Sequence, residues 1–224
     1  MDKTAYFESR TALGKEFAQQ LANFGNGDSA VLALSPGGAV MALEVARYTH
    51  STVALLLLKH IYLPGEPKPL GVVNDQGALT YGLDISPAYI EDFEMEYHSV
   101  IETNKMEAVH ELHAIGRSGR LSPHAFNDLN VIIVSDFSKT GTALKAAVDF
   151  LKPARTKKII FAVAVAQPKA IDVMHLLGDK LLISHTTDKD LPPEHYFTEN
   201  ELPETEELEA LKNQMPLQWW DLVV

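Results

Sequence analysis

The chain has 224 residues, of which 46% are hydrophobic, enough for one large domain with a buried core. Its formal net charge of -11 disfavours general binding to nucleic acid or to an anionic membrane, because both need a basic face. The absence of cysteine excludes disulfides, thiol nucleophiles and thiolate metal sites, and it fits a reducing compartment.

The chain also lacks the hydrophobic stretches of targeted or membrane-spanning proteins. The start of the chain, Met1 to Thr4, is polar, and apolar runs such as Val53 to Leu58 are far shorter than the ~20 residues that span a bilayer. We therefore expect a cytoplasmic protein whose partner is a small molecule, with no nucleic acid and no membrane.

The first part of the chain is predicted to alternate between helix and strand. Leu13, Phe17 and Leu21 recur at four-residue spacing, which predicts a helix over Thr11 to Ala22. The elements predicted next are a strand at Ala30 to Leu34, a tight turn at Ser35, Pro36, Gly37 and Gly38, a helix at Val40 to Tyr48, and a strand at Thr52 to Leu58.

The region from Lys59 to Asp84 is rich in proline and glycine and contains two short β-prone pieces, Leu70 to Val73 and Ala78 to Tyr81. We expect it to form a flexible hairpin lid. Ser86 and Pro87 then supply a helix cap and a proline suited to the first helical position, so a mostly helical stretch is predicted to about Ile115.

The most informative segment runs from Asn130 to Thr142. Its β-branched run predicts a strand buried on both faces of a parallel sheet, and a helix is expected to begin near Thr140. The free amides and dipole of that helix start favour phosphate, and Asp136 can accept hydrogen bonds from sugar hydroxyls. Ordinary helix capping produces the same pattern, so the segment alone leaves both interpretations open.

The remaining elements continue the alternation: a helix at Thr140 to Leu151, a strand at Lys158 to Val165, a helix at Pro168 to Leu177 and a strand at Lys180 to Ser184. Right-handed crossovers in such a series predict an α/β fold, with a parallel sheet, helices on both faces and ligands at the carboxyl ends of the strands. We expect a single domain over residues 1–224, with a hood or tail at about 185–224.

This arrangement resembles the type I phosphoribosyltransferases, in particular small bacterial members of unassigned substrate, up to about Val165. In that family an apolar strand runs into two acids and a Thr-Gly-x-Thr turn, which bind the ribose hydroxyls and 5-phosphate of phosphoribosyl pyrophosphate (PRPP). Asp136 matches the second acid, and Thr140 with Gly141 matches the turn. Ser135 and Ala143 depart from the pattern. The opening Phe7-Glu8-Ser9-Arg10 also resembles this subgroup, without identifying a catalytic group.

The resemblance implies a set of site residues. The expected ribose and 5-phosphate ligands are Ser135, Asp136, Phe137, Ser138, Lys139, Thr140, Gly141 and Thr142. The expected pyrophosphate loop is Ser35, Pro36, Gly37 and Gly38, which lacks the arginine that the family often carries. Lys59 and Lys139 are candidates for the missing cation, and Asp136 and Lys59 are the expected catalytic residues.

The activity implied is transfer of the phosphoribosyl group of PRPP to a base-type acceptor, with release of pyrophosphate. Mg²⁺ would be held mainly by the substrate, so no protein metal site is expected. The departures at Ser135, Pro36 and Ala143 support an alternative, a catalytically impaired regulatory or sensor protein that binds phosphoribosyl compounds. We expect a homodimer, which is the commonest assembly of small enzymes.

Two other features are interpreted as structural. His110 and His113 flank Glu111 but lie three apart instead of the four that a zinc protease helix needs, so we predict an exposed helix face. Met95, Met106 and Met174 are predicted to fill the core. Hydrolase and nucleotide-binding domains of other families lack support, because the chain has no Gly-x-Ser-x-Gly elbow and no Gly-rich nucleotide loop.

Overall fold

The computed structural model describes residues 7–25, 27–115, 121–200 and 202, which form two sheets and five α-helices. The strands are β1 (Ser29–Ala33), β2 (Thr52–Leu55), β3 (Leu58–Ile61), β4 (Gly71–Asn74), β5 (Leu79–Tyr81), β6 (Asn130–Ser138), β7 (Lys158–Ala166) and β8 (Lys180–Thr186). The helices are α1 (Arg10–Gln20), α2 (Pro36–Thr49), α3 (Pro87–Ile115), α4 (Thr142–Leu151) and α5 (Pro168–Leu177).

The larger sheet has five strands in the order β2-β1-β6-β7-β8, and every neighbouring pair is parallel. The α/β fold with a parallel sheet is therefore confirmed. Ala33 of β1 lies opposite Val134 of β6, so these two strands reach their carboxyl ends side by side. The loops that leave them are neighbours for the same reason.

The sheet is buried on both faces, as its β-branched strand predicted. Ile132 and Val134 of β6 pack with Phe17 of α1 and Met41 of α2 on one face. Val131 and Ile133 belong to the core of the other face, and their partners there include Leu144 of α4, Met174 of α5 and Phe161 of β7. All four residues from Val131 to Val134 are 0% exposed.

The predicted strand Thr52 to Leu58 is wrong in one respect, because the chain divides there between the two sheets. After β2, the amide of Leu56 donates to the carbonyl of Ala33, and Leu58 then begins β3 of an antiparallel sheet with the order β3-β4-β5. The two β-prone pieces of the lid region are confirmed as β4 and β5. They pack beneath α3, with Leu63, Leu70 and Ile101 in the core between them.

Helix α3 has 29 residues and is kinked at Tyr97, whose φ of -114° and ψ of 20° are not helical. Met95 and Met106 are 82% and 73% exposed, so their predicted core role is wrong, whereas Met174 is fully buried as predicted. Other residues of α3, such as Ile101 and Ala108, fill its inward face. Neither α3 nor any other helix in the described ranges combines the length and apolar character needed to cross a membrane.

The two ends of the described chain meet beside α1. The amide of Phe7 donates to the carbonyl of Tyr196 at 3.0 Å, and the amide of Thr198 donates to the carbonyl of Phe7 at 2.9 Å. The rings of Phe7 and Phe197 lie 5.5 Å apart. Residues 187–200 thus return to the larger sheet, while most of the expected hood or tail, residues 203–224, lies outside the described part of the chain.

Candidate ligand site at the carboxyl edge of the sheet

Two loops adjoin at the carboxyl edge of the larger sheet, one after β1 and one after β6. The amide of Leu34 donates to the carbonyl of Val134 at 3.1 Å, which ties the start of the first loop to the second strand. The expected pyrophosphate and 5-phosphate segments are thus brought together by neighbouring strands. Ligands of parallel α/β sheets bind in this position.

Asp136 is the centre of a buried polar cluster between these loops. Ser35 Oγ donates to Asp136 Oδ1 at 2.7 Å, and Arg10 Nε donates to Asp136 Oδ2 at 3.2 Å. Asp136 is only 7% exposed. Each carboxylate oxygen therefore already accepts from a protein donor, which fixes the orientation of the carboxylate at the end of the sheet.

Arg10 was not among the site residues predicted from sequence. It opens α1, which Ser9 caps by accepting a hydrogen bond from the Ala12 amide, and its side chain crosses to Asp136, 126 positions away. The one available signal was its place in the Phe7-Glu8-Ser9-Arg10 opening. A charge at the start of a helix is ordinarily solvated, so sequence position alone does not predict its burial.

The turn predicted at residues 35–38 is instead the first turn of α2, because Ser35 is an N-cap. Its side chain accepts from the Gly38 amide at 2.9 Å, and Pro36 begins the helix. A Cβ atom on Gly37 would lie 2.0 Å from Asp136 Oδ2 and 2.4 Å from Arg10 Nε. Only glycine leaves room for the Arg10–Asp136 pair to pack against the start of α2.

The second loop is shorter than predicted, because β6 continues through Ser135, Asp136 and Phe137 to Ser138. Gly141, with a φ of 80°, caps α4, which begins at Thr142. The hydroxyls of Thr140 and Thr142 lie 2.8 Å apart. The segment from Lys139 to Thr142 therefore presents two hydroxyls at the positive end of a helix dipole, which favours an anion there.

Neighbouring segments surround this second loop. The amide of Leu83, just after β5, donates to Thr142 Oγ1 at 3.4 Å, and the amide of Gln167 donates to the carbonyl of Ser138 at 2.9 Å. Ser135 Oγ donates to the carbonyl of Phe137 at 2.9 Å. The small sheet thus borders the loop on one side, and Ser135 bonds within its own strand.

The two lysines proposed as cations are both paired with carboxylates. Lys139 Nζ contacts Asp190, and Lys59 Nζ contacts Glu111 of α3. Both lysine side chains are partly exposed, at 50% for Lys139 and 38% for Lys59. Lys59 belongs to β3 and lies with the small sheet, whereas Lys139 lies in the loop after β6.

His110 and Glu111 lie on the exposed face of α3, as predicted. His113 Nε2 lies 2.8 Å from the carbonyl of Asp75. In the described ranges, no group of three or more histidine and carboxylate side chains is arranged to hold a metal ion.

A separate cavity of about 350 Å³ lies between β5 and α3. Its polar lining includes Tyr81, Glu94, His98, Glu102 and Lys105. Burial, followed by the hydrogen bond to Glu94, raises the pKa of Tyr81, so its hydroxyl stays protonated and donates to that carboxylate. This contact joins β5 to α3 and so stabilises the small sheet.

Residues 77–174 match the family model described as phosphoribosyl transferase domain. Over this segment the chain is similar to phosphoribosyltransferase domains. The match runs from the end of the small sheet through α3, β6, the Lys139–Thr142 loop, α4 and β7 into α5. It therefore contains Asp136 and the second loop, whereas Arg10 and the start of α2 precede it.

Comparison with a solved structure extends the likeness beyond residues 77–174. The protein TT1426 from Thermus thermophilus has a TM-score of 0.71 and 22% identity, with 97% of this chain and 99% of that chain covered. A purine phosphoribosyltransferase from Pyrococcus horikoshii has a TM-score of 0.47 and 16% identity, with 87% and 91% covered. The Thermus likeness shows that the same fold spans nearly the whole chain.

Proposed function

We propose that the protein binds PRPP at the carboxyl edge of the sheet and transfers the phosphoribosyl group to a base-type acceptor, with release of pyrophosphate. The observation that carries this proposal is the adjacency of two helix starts, at Ser35 and Gly141, that follow the neighbouring parallel strands β1 and β6. A ligand with a phosphate at each end matches two such anion sites.

The 5-phosphate is assigned to Thr140, Gly141 and Thr142. Gly141 adopts the left-handed conformation that exposes successive backbone amides, and the two threonine hydroxyls flank it. Phe137 and Ser138 end the strand that leads into this loop, and Lys139 is the first residue of the loop. Lys139 would then exchange Asp190 for phosphate, a small cost because the pair is exposed.

Asp136 is assigned to the ribose. An ionised carboxylate oxygen has more than one acceptor site, so Asp136 can accept from a sugar hydroxyl while keeping Ser35 and Arg10. Its negative charge, held in place by those donors, would stabilise positive charge that develops on the sugar ring as the bond to pyrophosphate breaks. Lys59 is the second catalytic candidate from sequence, and reaching the ligand would require it to leave Glu111.

Magnesium fits this site as a substrate-bound ion. Mg²⁺ retains several waters and binds through phosphates and few protein groups, which suits an edge where Asp136 is already held by two protein donors. Bound to the diphosphate, the ion would neutralise charge on the leaving group. The described residues would contribute by positioning the sugar and both phosphate groups.

The small sheet supplies the wall that would exclude water from the activated sugar. Leu83, which follows β5, already bonds to Thr142 in the 5-phosphate loop. A closing movement of the segment from Pro64 to Gly82 would complete that wall. The flexibility of this segment is part of the proposal.

One observation favours a second function, binding without transfer. The oxygens of Asp136 already accept from Ser35 and Arg10, and Lys59 and Lys139 are already paired with carboxylates. A site whose charges are satisfied before the ligand arrives has less transition-state stabilisation to offer. A regulatory protein that senses phosphoribosyl compounds would have these properties.

Calorimetric titration with PRPP, with and without Mg²⁺, and with ribose 5-phosphate separates these functions. Thr140→Ala should weaken binding of both ligands about 10-fold, since it removes a hydroxyl bonded to a charged group. Thr103→Ala is the matched control, because Thr103 is exposed on α3 and its hydroxyl donates to the carbonyl of Ser99 in the same helix. Equal affinities in the wild type and Thr140→Ala would contradict the assigned 5-phosphate loop.

The relative affinities for PRPP and ribose 5-phosphate, together with pyrophosphate release, decide between transfer and sensing. Tighter, Mg²⁺-dependent binding of PRPP than of ribose 5-phosphate, followed by pyrophosphate release when a base is added, supports the transferase. Equal binding of the two ligands with no pyrophosphate release supports the sensor. Failure of the wild type to bind either ligand would overturn both functions.

A further inference from the structure

Arg10 has the contacts of a ligand-binding arginine. Its side chain is 2% exposed and is held on three sides: Nε donates to Asp136, Nη1 donates to Asn200 Oδ1 at 2.7 Å, and Cζ lies 4.2 Å from the centroid of the Phe197 ring. These partners come from two parts of the chain far from α1 in sequence, the end of β6 and the segment from Phe197 to Asn200. The plane of the guanidinium group is therefore fixed before any ligand binds.

One donor group of this arginine remains unused. Arg10 Nη2 is buried and has no hydrogen-bond partner in the structure of the described residues. A buried N–H group without an acceptor is costly, and this one belongs to a cation. Nη2 therefore has the properties of a donor reserved for an acceptor on a ligand.

The position of the guanidinium group indicates which acceptor it would meet. Arg10 Nε lies 2.4 Å from where a Cβ atom of Gly37 would be, so the group packs against the first turn of α2. The Gly38 amide in that turn is already occupied by Ser35 Oγ. The donors at this helix start are thus supplemented by an arginine that comes from α1 and not from the loop itself.

We propose that Arg10 binds the diphosphate of the ligand, with Nη2 donating to a diphosphate oxygen at the start of α2. This inference rests on the proposed function, because it assigns the second anionic group of PRPP. It also assigns the role of the cation that the Ser35–Gly38 segment lacks to Arg10, a residue of α1. Because Nε is engaged by Asp136 and Nη1 by Asn200, Arg10 would serve the diphosphate through the directed, charge-assisted hydrogen bond of Nη2.

Titration of inorganic pyrophosphate with Mg²⁺, PRPP and ribose 5-phosphate into Arg10→Lys tests this assignment. Lysine keeps the charge opposite Asp136 but loses the planar fork, so it cannot bond to Asp136, Asn200 and the diphosphate together. Affinity for pyrophosphate and PRPP should fall about 10- to 100-fold, and affinity for ribose 5-phosphate should change less than about 3-fold. Arg47→Lys, an exposed pair with Glu44, is the control and should change neither.

A second variant tests whether Arg10→Lys acts only by weakening the ion pair with Asp136. Arg10→Gln with Asp136→Asn replaces the pair by two neutral side chains of similar shape, and circular dichroism would establish that it folds. It should also lose pyrophosphate binding. Unchanged pyrophosphate affinity in folded Arg10→Lys would overturn the assignment while leaving the 5-phosphate site intact. An equal loss of affinity for ribose 5-phosphate would also overturn it, because the effect of the variant would then not be specific to the diphosphate. Failure of the wild type to bind any of the three ligands would overturn the proposed function as well.

Discussion

At the scale of single residues, two ion pairs of the same chemical type occupy opposite environments. Arg10 and Asp136 are 2% and 9% exposed in their side chains, whereas Arg155 and Asp128 are 82% and 70% exposed. Removing one partner from a buried pair leaves an uncompensated charge in a medium of low dielectric constant. The same change at the surface leaves a charge in water.

We therefore expect Asp136→Asn to lower the free energy of unfolding by about 3 to 5 kcal/mol, measured by urea denaturation. Asp128→Asn should produce no measurable change. The double variant Arg10→Gln with Asp136→Asn should be more stable than Asp136→Asn, because it removes both charges. If Asp136→Asn were as stable as the wild type, Arg10 and Asp136 would not form the buried pair described above.

At the scale of elements, the loop that opens α4 depends on Gly141 for two separate reasons. Its φ is +80°, which other residues adopt with strain, and a Cβ atom would lie 2.8 Å from Val173 Cβ of α5. Gly77 has the same φ of +80°, but its added Cβ would meet only Val109 Cγ2 at 3.8 Å. Comparing the alanine variants at these two positions separates the effect of the contact with Val173 from the effect of backbone strain.

Gly77→Ala should lower the free energy of unfolding by about 1 to 2 kcal/mol through backbone strain alone. Gly141→Ala should lower it by about 1 to 3 kcal/mol more, because α5 must also move to relieve the contact. Thermal unfolding checks both values. Only Gly141→Ala should weaken binding of ribose 5-phosphate. Equal destabilisation by the two variants would mean that α5 does not constrain the loop.

The packing of α3 on the small sheet gives a second comparison at this scale. Ile101 is 3% exposed in the core beneath α3, whereas Met95 on the same helix is 82% exposed. Ile101→Ala should lower the free energy of unfolding by about 2 to 5 kcal/mol, and Met95→Ala should change it little. Hydrogen exchange of the β4 amides should become faster in Ile101→Ala alone. Unchanged exchange would indicate that α3 does not stabilise the small sheet.

At the scale of the whole molecule, the features predicted from sequence are those that nearby residues determine. Helix α5 is predicted with its observed bounds because Pro168 begins it and Gly178 follows its last residue. The buried strand β6 follows from its β-branched run, although it continues past Asp136. The division between β2 and β3 is missed because the apolar run over these residues is continuous and gives no local break.

The candidate site is only half predictable for the same reason. Asp136 and the Thr140–Thr142 turn lie within seven residues of each other in the sequence and form a recognisable motif. The partners of Arg10 lie 126 and 190 positions away, so no local pattern predicts that this arginine is buried. Burial of a charge is decided when α1, β6 and the segment near residue 200 pack together.

That packing makes the end of the described chain a structural part of the site. Phe197 is 4% exposed, contacts the ring of Phe7 and stacks on the Arg10 guanidinium group. Phe197→Ala should lower the free energy of unfolding by about 3 to 5 kcal/mol and also weaken PRPP binding, because Arg10 loses one of the contacts that orient it. Urea denaturation and calorimetry measure the two effects.

Thr198→Ala is the matched control for this prediction. Thr198 is exposed and donates its backbone amide, not its side chain, to the carbonyl of Phe7, so alanine preserves that bond. Its stability and PRPP affinity should equal those of the wild type. If Phe197→Ala lost stability but kept full PRPP affinity, the chain end would support the fold without orienting Arg10. A loss of both stability and PRPP affinity in Phe197→Ala, but not in Thr198→Ala, would establish that the packing of Phe197 against Phe7 and Arg10 also organises the site.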